Sequence, residues 1–279
     1  MIYGVSGFGS TIPRSHEETA HRVFRCAWDE RTDLEIKMKN AITIGAIAAI
    51  SGSAFAGVLT ELASTSFENG FVGDQYVDTG DASMDHGLVN NAGQSWVNFV
   101  NDGVEVGFSA YYRNTRGDVG LTDGDFVGFT NFTGEVGSFT DGVQGYEMQD
   151  ADGLMGLQFD TIGSTSYQNI TMDVFIQETG WESDDSIRIW AVVDGGLEID
   201  LLNTIGSDID DLVIEGSWLD LTADLSGMTE ATLFVELDSN SGSESIYIDN
   251  IVWNGAIPTP GAASLLAFGG LVASRRRRA

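Results

Sequence analysis

The stretch "ATLFVELDSNSGSESIYIDNIVW" at 231–253 decides the fold class, because apolar residues alternate with other residues on both sides of a short polar turn. In a β-strand, successive side chains point to opposite faces, so an alternation of this kind places the apolar ones together. The intervening Asp, Ser, Asn and Gly residues are typical of turns. The stretch therefore predicts two strands, each with one buried face.

The same period of two recurs from about Ser66 to Trp253, in runs separated by Gly, Asn, Asp and Ser. The clearest further runs are "VEVGFSAYY" (104–112), "NITMDVFI" (169–176) and "SIRIWAVV" (186–193). No long helical period competes with them, and no repeat of fixed length suggests a propeller or a solenoid. The pattern predicts an all-β domain, an antiparallel β-sandwich.

Charge is distributed unevenly along the 279 residues. Between positions 41 and 274 the basic residues are only Arg113, Arg116 and Arg188, against 36 acidic residues, for a net charge near −33. Such a surface repels nucleic acid and anionic lipid, so we expect neither as a partner. Two interpretations remain, solubility in a salty medium and binding of divalent cations.

Several catalytic chemistries are excluded by missing residue types. Lysine is absent after Lys39, which excludes a P-loop or a Schiff-base lysine in the middle domain. His86 is the only histidine after His21, so a Ser-His-Asp triad or a multi-histidine zinc site is not expected. Cys26 is the single cysteine and allows no disulfide framework.

The segment 38–56, "MKNAITIGAIAAISGSAFA", has the order of a secretory signal peptide: a basic start, an apolar run and small residues. It predicts export and cleavage by signal peptidase between Ala56 and Gly57. The 37 residues before Met38 are then an unstructured upstream extension, the alternative being an unusually long n-region.

The C-terminal segment 257–279 joins a proline pair, a 14-residue apolar run and four arginines. As a helix, the apolar run would be about 21 Å long, a short hydrophobic anchor.

The segment resembles the PEP-CTERM sorting signal of Gram-negative, exopolysaccharide-producing bacteria, in a variant form with Pro-Thr-Pro for Pro-Glu-Pro. The resemblance implies processing by an exosortase-type enzyme, contact with the membrane only through this tail, and a place at the cell surface or in the extracellular matrix. An ordinary tail anchor is the alternative. The sorting residues would be Pro258, Pro260, Arg275, Arg276, Arg277 and Arg278.

Between these ends, residues 57–256 form the predicted sandwich. "SFENG" (66–70) and "ESIYIDNIVW" (244–253) resemble the first and last strands of secreted jelly-roll modules, the galactose-binding-like and carbohydrate-binding domains. The resemblance implies a jelly-roll sandwich and a structural Ca²⁺ that joins those strands, with Glu68 and Asp249 as ligands. The acidic runs 150–153 and 208–211 carry only fragments of a calcium-loop spacing.

Alternation also predicts which side chains face outward. If Ile187, Ile189, Ala191 and Val193 are buried, Arg188 and Trp190 share the opposite face. The same reasoning exposes Glu105, Ser109, Tyr111 and Arg113 on 104–113, and Asp173, Phe175 and Gln177 against a buried Ile170, Met172, Val174 and Ile176. Aromatic rings beside amide, carboxylate and guanidinium groups suit pyranose rings. The candidate sugar-binding residues are Tyr111, Arg113, Asp173, Phe175, Gln177, Arg188 and Trp190.

Three functions remain open. The first is a non-enzymatic exported protein of the cell envelope or biofilm matrix, the second a carbohydrate-binding module with an extracellular polysaccharide as its partner, and the third a polysaccharide-active hydrolase. We expect no catalytic residues and no cofactor other than structural calcium.

Overall fold

The structure is a computed structural model that describes residues 58–115, 121, 125–164, 166–178 and 180–257. Thirteen strands run through the described residues. In chain order they are β1 (Val58–Thr65), β2 (His86–Gly87), β3 (Phe108–Arg113), β4 (Phe126–Thr130), β5 (Gly145–Gln149), β6 (Gly153–Phe159), β7 (Ile162–Gly163), β8 (Tyr167–Ile176), β9 (Ser186–Val193), β10 (Leu197–Asn203), β11 (Trp218–Asp224), β12 (Glu230–Ser239) and β13 (Ser245–Ile257). Helix in this part of the chain is confined to two 3₁₀ turns, Asp194–Gly196 and Ile209–Asp211.

The strands form two sheets in which every paired strand is antiparallel. The first sheet has the order β11-β8-β13-β5-β4, with β1 also paired to β13. The second has the order β10-β9-β12-β6-β3-β2, with β7 paired to β12. The predicted fold class, an all-β antiparallel sandwich of jelly-roll type, is confirmed.

The long strand β13 changes its neighbour part way along. Its residues Ser245 to Ile248 pair with β5, and its residues from Ile251 onward pair with β1. Between these halves the register with β8 shifts after Asp249, and Asn250 has a left-handed φ of 49°. The irregularity places Asp249 at the junction of β1, β5 and β13.

An aromatic cluster lies at the centre of the core. Phe67 packs edge-on against Phe108 and Phe129, with ring centroids 5.6 and 5.8 Å apart, and both neighbours also contact Tyr146. All four rings are buried. Pairs of this geometry contribute stability beyond the apolar area that they bury.

Period-two alternation predicted the buried rows correctly. The rows Ile170, Met172, Val174, Ile176 and Ile187, Ile189, Ala191, Val193 are all buried. The predicted strands at 169–176, 186–193, 231–237 and 245–253 all lie within β8, β9, β12 and β13.

Two predictions near the start of the domain were wrong. The strand predicted from residue 104 begins only at Phe108, and Glu105, expected to be exposed, is buried. Its carboxylate accepts the N–H groups of Glu68 and Asn69, so it turns inward to hold that segment. "SFENG" at 66–70 is accordingly not the first strand but the turn that follows β1.

The predicted extension, signal peptide and sorting residues lie outside the described residues. Within the described part of the chain, no helix has the length and hydropathy needed to cross a membrane. The described strands run from Val58 to Ile257, and the boundaries predicted for the sandwich, 57 and 256, stay a prediction.

Candidate functional site

The outer face of the second sheet carries two adjacent rows of aromatic and polar side chains. Strand register places each row straight across five strands, from β3 through β6, β12 and β9 to β10. One row is Ser109, Gln158, Phe234, Trp190 and Asp200; the other is Tyr111, Gly156, Glu236, Arg188 and Asn203. Because strands lie about 4.8 Å apart, each row spans roughly 19 Å.

Tyr111 lies across the sheet instead of standing away from it. Its hydroxyl donates to Glu236 Oε1 at 2.6 Å, two strands away, and Gly156 lies between them. A Cβ at Gly156 would come within 2.3 Å of the Tyr111 ring, so only glycine leaves room for this orientation. The Arg113 guanidinium lies 4.9 Å from the centre of the ring and pairs with Glu236 at 3.2 Å.

Trp190 is the centre of a second group on the same face. Its ring stacks on Phe234, with centroids 5.1 Å apart and an interplanar angle of 14°. On β9 the Arg188 guanidinium lies 4.5 Å from the centre of the Trp190 ring and donates to Asp200 and Glu198. Trp190 is therefore only 7% exposed, contrary to the exposure expected from alternation, and its buried Nε1–H has no hydrogen-bond partner among the described residues.

An open cleft of about 380 Å³ lies at the β3 side of this face. Its lining residues are Asp85, His86, Tyr111, Tyr112, Arg113, Gln158 and Phe234. Gln158 is exposed there, so its amide faces the cleft with one acceptor and two donors. The cleft thus combines a phenol, a guanidinium and an amide with the edge of an aromatic pair.

His86 forms the wall of the cleft on the edge strand β2. Its Nε2 bonds Asp78 Oδ2 at 2.7 Å, and its Nδ1 bonds the Met84 carbonyl at 2.8 Å. Burial opposes protonation of the ring, but the bonds to Met84 and Asp78 outweigh it and raise the pKa of His86. Both ring nitrogens thus have partners within the protein, so the ring lines the cleft without a free nitrogen.

The predicted sugar-binding residues divide between the two sheets. Tyr111, Arg113, Arg188 and Trp190 lie together on the second sheet. Asp173, Phe175 and Gln177 belong to β8 and its end, in the first sheet. The structure therefore does not unite all seven in one site.

On the first sheet the outer face around Phe175 is covered. Phe175 is 7% exposed and packs with Tyr247 and with Val136 and Phe139 of the β4–β5 connection. The expectation of an exposed Phe175 was wrong, because that connection folds back over the strand. Asp173 accepts a hydrogen bond from the Asn250 amide.

The predicted calcium ligands hold the same β4–β5 connection. Glu68 Oε1 accepts the N–H groups of Val143 and Gln144, and Asp249 Oδ2 accepts those of Thr140 and Asp141. Burial raises the pKa of Asp249 to about 6, and these N–H donors oppose the rise. Neither residue belongs to a three-carboxylate cluster within the described residues. The calcium site at Glu68 and Asp249 stays a prediction, and backbone N–H groups are the partners that the structure gives to Glu68 Oε1 and Asp249 Oδ2.

Two clusters of three carboxylates occur elsewhere in the described chain. One joins Asp125, Asp150 and Asp152, and the other joins Glu182, Asp185 and Glu244. In the acidic run 208–211, Asp208 instead caps a 3₁₀ turn by accepting the Asp210 N–H.

Sequence reasoning missed three residues of the second-sheet face, Gln158, Phe234 and Glu236. Alternation within 231–237, applied as it was to β9, would have placed Phe234 and Glu236 outward. Gln158 lies in β6, whose run "GLMGLQF" is interrupted by glycine and gives a weaker alternation.

Comparison with known proteins gives no family for this chain. No protein-family model matches it, and no curated protein does. Among solved structures, the K3 cleaved adhesin domain of Lys-gingipain from Porphyromonas gingivalis is 16% identical over 70% of this chain and 98% of its own, with a TM-score of 0.32. The C-terminal family 22 carbohydrate-binding module of Clostridium thermocellum Xyn10B is 11% identical over 61% and 99%, with a TM-score of 0.32. TM-scores this low carry no conclusion about the ligand of this chain.

Proposed function

We propose that this protein is a non-enzymatic exported protein whose sandwich binds a neutral polysaccharide across the outer face of its second sheet. The observation that carries the proposal is the pair of adjacent rows that brings Tyr111, Phe234 and Trp190 beside Gln158 and Glu236. Export, and a role in the envelope or biofilm matrix, rest on the segments 38–56 and 257–279 of the sequence.

The shape of the face suits a polymer. A row of roughly 19 Å is longer than a single sugar ring, and side chains suited to sugars recur along it. Tyr111 and Phe234 are half-buried and offer apolar ring surface, while Gln158 and Arg113 offer hydrogen bonds to hydroxyl groups.

Electrostatics favours a neutral glycan. Arg113 is paired with Glu236, and Arg188 is paired with Glu198 and Asp200, so neither guanidinium is left to balance an anionic ligand. The strongly acidic domain around them repels polyanions.

A glycan-binding measurement on the purified full chain tests the proposal. Phe234→Ala removes half of the ring pair, and Gln158→Ala removes an exposed amide that is not needed for packing. We expect each to weaken binding by about tenfold, the effect of losing about 1.4 kcal/mol. Thr222→Ala, a change at an exposed position on the first sheet, should bind like the parent.

Two results would contradict the proposal. One is a parent protein that binds no neutral polysaccharide. The other is unchanged binding in both Phe234→Ala and Gln158→Ala, which would place any glycan elsewhere.

A further inference from the structure

Two connections cross between the sheets at the same end of the sandwich. One leads from β8 to β9 and the other from β12 to β13. They are joined at their base, where Ser245 Oγ donates to Gln177 Oε1 at 2.7 Å and Gln177 N donates to the Ser245 carbonyl at 3.0 Å. Side chains from both connections therefore meet in one place.

Three carboxylates meet there. Glu182 and Asp185 come from the first connection and Glu244 from the second, and one oxygen of each lies within 4.8 Å of the others. Asp185 and Glu244 are buried, whereas Glu182 is exposed. Asp185 Oδ2 accepts the backbone N–H of Glu182 at 2.6 Å, which fixes the Asp185 carboxylate against the backbone of its own connection.

Glu244 supplies an observation independent of the clustering. The residue has no exposed surface, and its Oε2 accepts the N–H of Asn240 at 2.9 Å. Its Oε1 is buried and has no hydrogen-bond partner among the described residues. A buried carboxylate oxygen without a donor is costly, and the side chain that carries it belongs to the cluster.

We propose that Glu182, Asp185 and Glu244 bind a calcium ion that ties the two connections together. Calcium takes oxygen ligands at about 2.3–2.6 Å, so ligand oxygens on opposite sides of the ion are separated by roughly 4.6–5.2 Å, which the cluster allows. Its ligands are all oxygens, as hard cations prefer, with no histidine or cysteine among them.

The site differs from the one predicted at Glu68 and Asp249. There the carboxylates face backbone N–H groups, whereas Glu244 Oε1 faces no donor. An ion at the crossing connections would link β8 and β13 of the first sheet to β9 and β12 of the second. It binds the folded arrangement only, and so stabilises it.

Thermal unfolding of the full chain with and without calcium is the first measurement. At about 100 times its Kd, the ion should raise the melting temperature of the parent by about 5–10 °C. Magnesium at equal ionic strength should raise it much less. Glu182→Gln and Glu244→Gln should each lose most of the calcium-specific rise.

Matched variants separate a site from general charge screening. Glu178→Gln removes the same charge from the same connection but outside the cluster, and should keep the full rise. Asp249→Asn should also keep it. Bound Tb³⁺ gives a direct readout, because Trp181 adjoins Glu182 and can sensitise its luminescence; Glu244→Gln should lose the signal that the parent shows.

Each contrary outcome overturns the proposal. These are no calcium-specific rise in the parent, an equal rise in parent and Glu244→Gln, or an equal loss in Glu178→Gln and Glu182→Gln. A rise lost in Asp249→Asn but kept in Glu244→Gln would move the ion to the strand junction.

Discussion

Glu147 shows at the scale of one residue how burial changes an acid. It lies in β5, is 4% exposed, and accepts a hydrogen bond from the Tyr247 hydroxyl at 2.8 Å. Burial raises its pKa to about 7, bonds from Tyr247 and Thr130 oppose the rise, and the charge of Glu135 adds to it. The folded protein therefore holds a proton on Glu147 that the unfolded chain releases at lower pH.

This proton makes stability depend on pH. An acid whose pKa is raised by folding contributes stability that is present below its unfolded pKa and is lost as pH rises to its folded pKa. From about pH 4.5 to about pH 7, Glu147 should therefore lower the free energy of unfolding by about 2–3 kcal/mol.

Glu147→Gln should remove that part of the pH dependence and stabilise the protein at pH 8, because the amide oxygen still accepts from Tyr247. Urea unfolding of the parent and the variant at pH 5 and pH 8 measures this change in the free energy of unfolding. Glu230→Gln changes an exposed side chain in β12 and should leave the dependence of the unfolding free energy on pH as in the parent. If Glu147→Gln showed the same pH dependence of unfolding free energy as the parent, Glu147 would not be the group responsible.

At the scale of elements, the β4–β5 connection owes its position to two acids on other elements. Asp249 of β13 accepts from Thr140 N, Thr140 Oγ1 and Asp141 N, and Glu68 accepts from Val143 N and Gln144 N. Held in this way, the connection covers Phe175 and closes the outer face of the first sheet. The second sheet keeps the open face.

Asp249→Asn should release the connection. The Asn side chain offers the Thr140 and Asp141 donors either an NH₂ group, which cannot accept, or an amide oxygen, which accepts more weakly than a carboxylate. We expect the free energy of unfolding to fall by about 2–3 kcal/mol. Hydrogen exchange at the amides of Thr140 and Asp141 should accelerate. Asp141→Asn changes an exposed side chain in the same connection and should alter neither the free energy of unfolding nor the exchange rates. Exchange protection as high in Asp249→Asn as in the parent would show that other contacts hold the connection.

Charge is divided unevenly over the full length of the chain. The acidic domain contrasts with the arginines Arg275 to Arg278, which follow the apolar run of the tail. Positive charge next to an apolar segment favours the cytoplasmic side, so we expect the block to orient the tail with the domain outside.

Replacing Arg275 to Arg278 by serine should abolish correct orientation, and with it processing and surface retention. Replacement by lysine keeps the charge and should preserve both. Cell fractionation and the mass of the mature protein provide the measurement, and a serine variant sorted like the parent would refute the role of the block.

Local sequence was enough to predict the main strands and their buried rows. Period-two alternation is a local property, since each residue's face follows from its place in its own strand, and so Ile170 and Ile189 could be placed in the core without knowing any partner. The same logic put Trp190 and Arg188 on one face. It failed at Glu105, where a turn replaces the strand, because a bond to Glu68 N over 37 positions outweighs the local pattern.

Which faces stay open and which acids meet could not be predicted from local sequence. Phe175 and Trp190 have the same alternation and are both 7% exposed, yet a connection covers Phe175, whereas Arg188 and Phe234 of the same sheet face cover Trp190. Glu182 and Glu244 are 62 positions apart and come together because two connections cross at one end of the sandwich. Pairing register and sheet packing depend on residues far apart in the chain, so contacts across strands cannot be read from any local stretch.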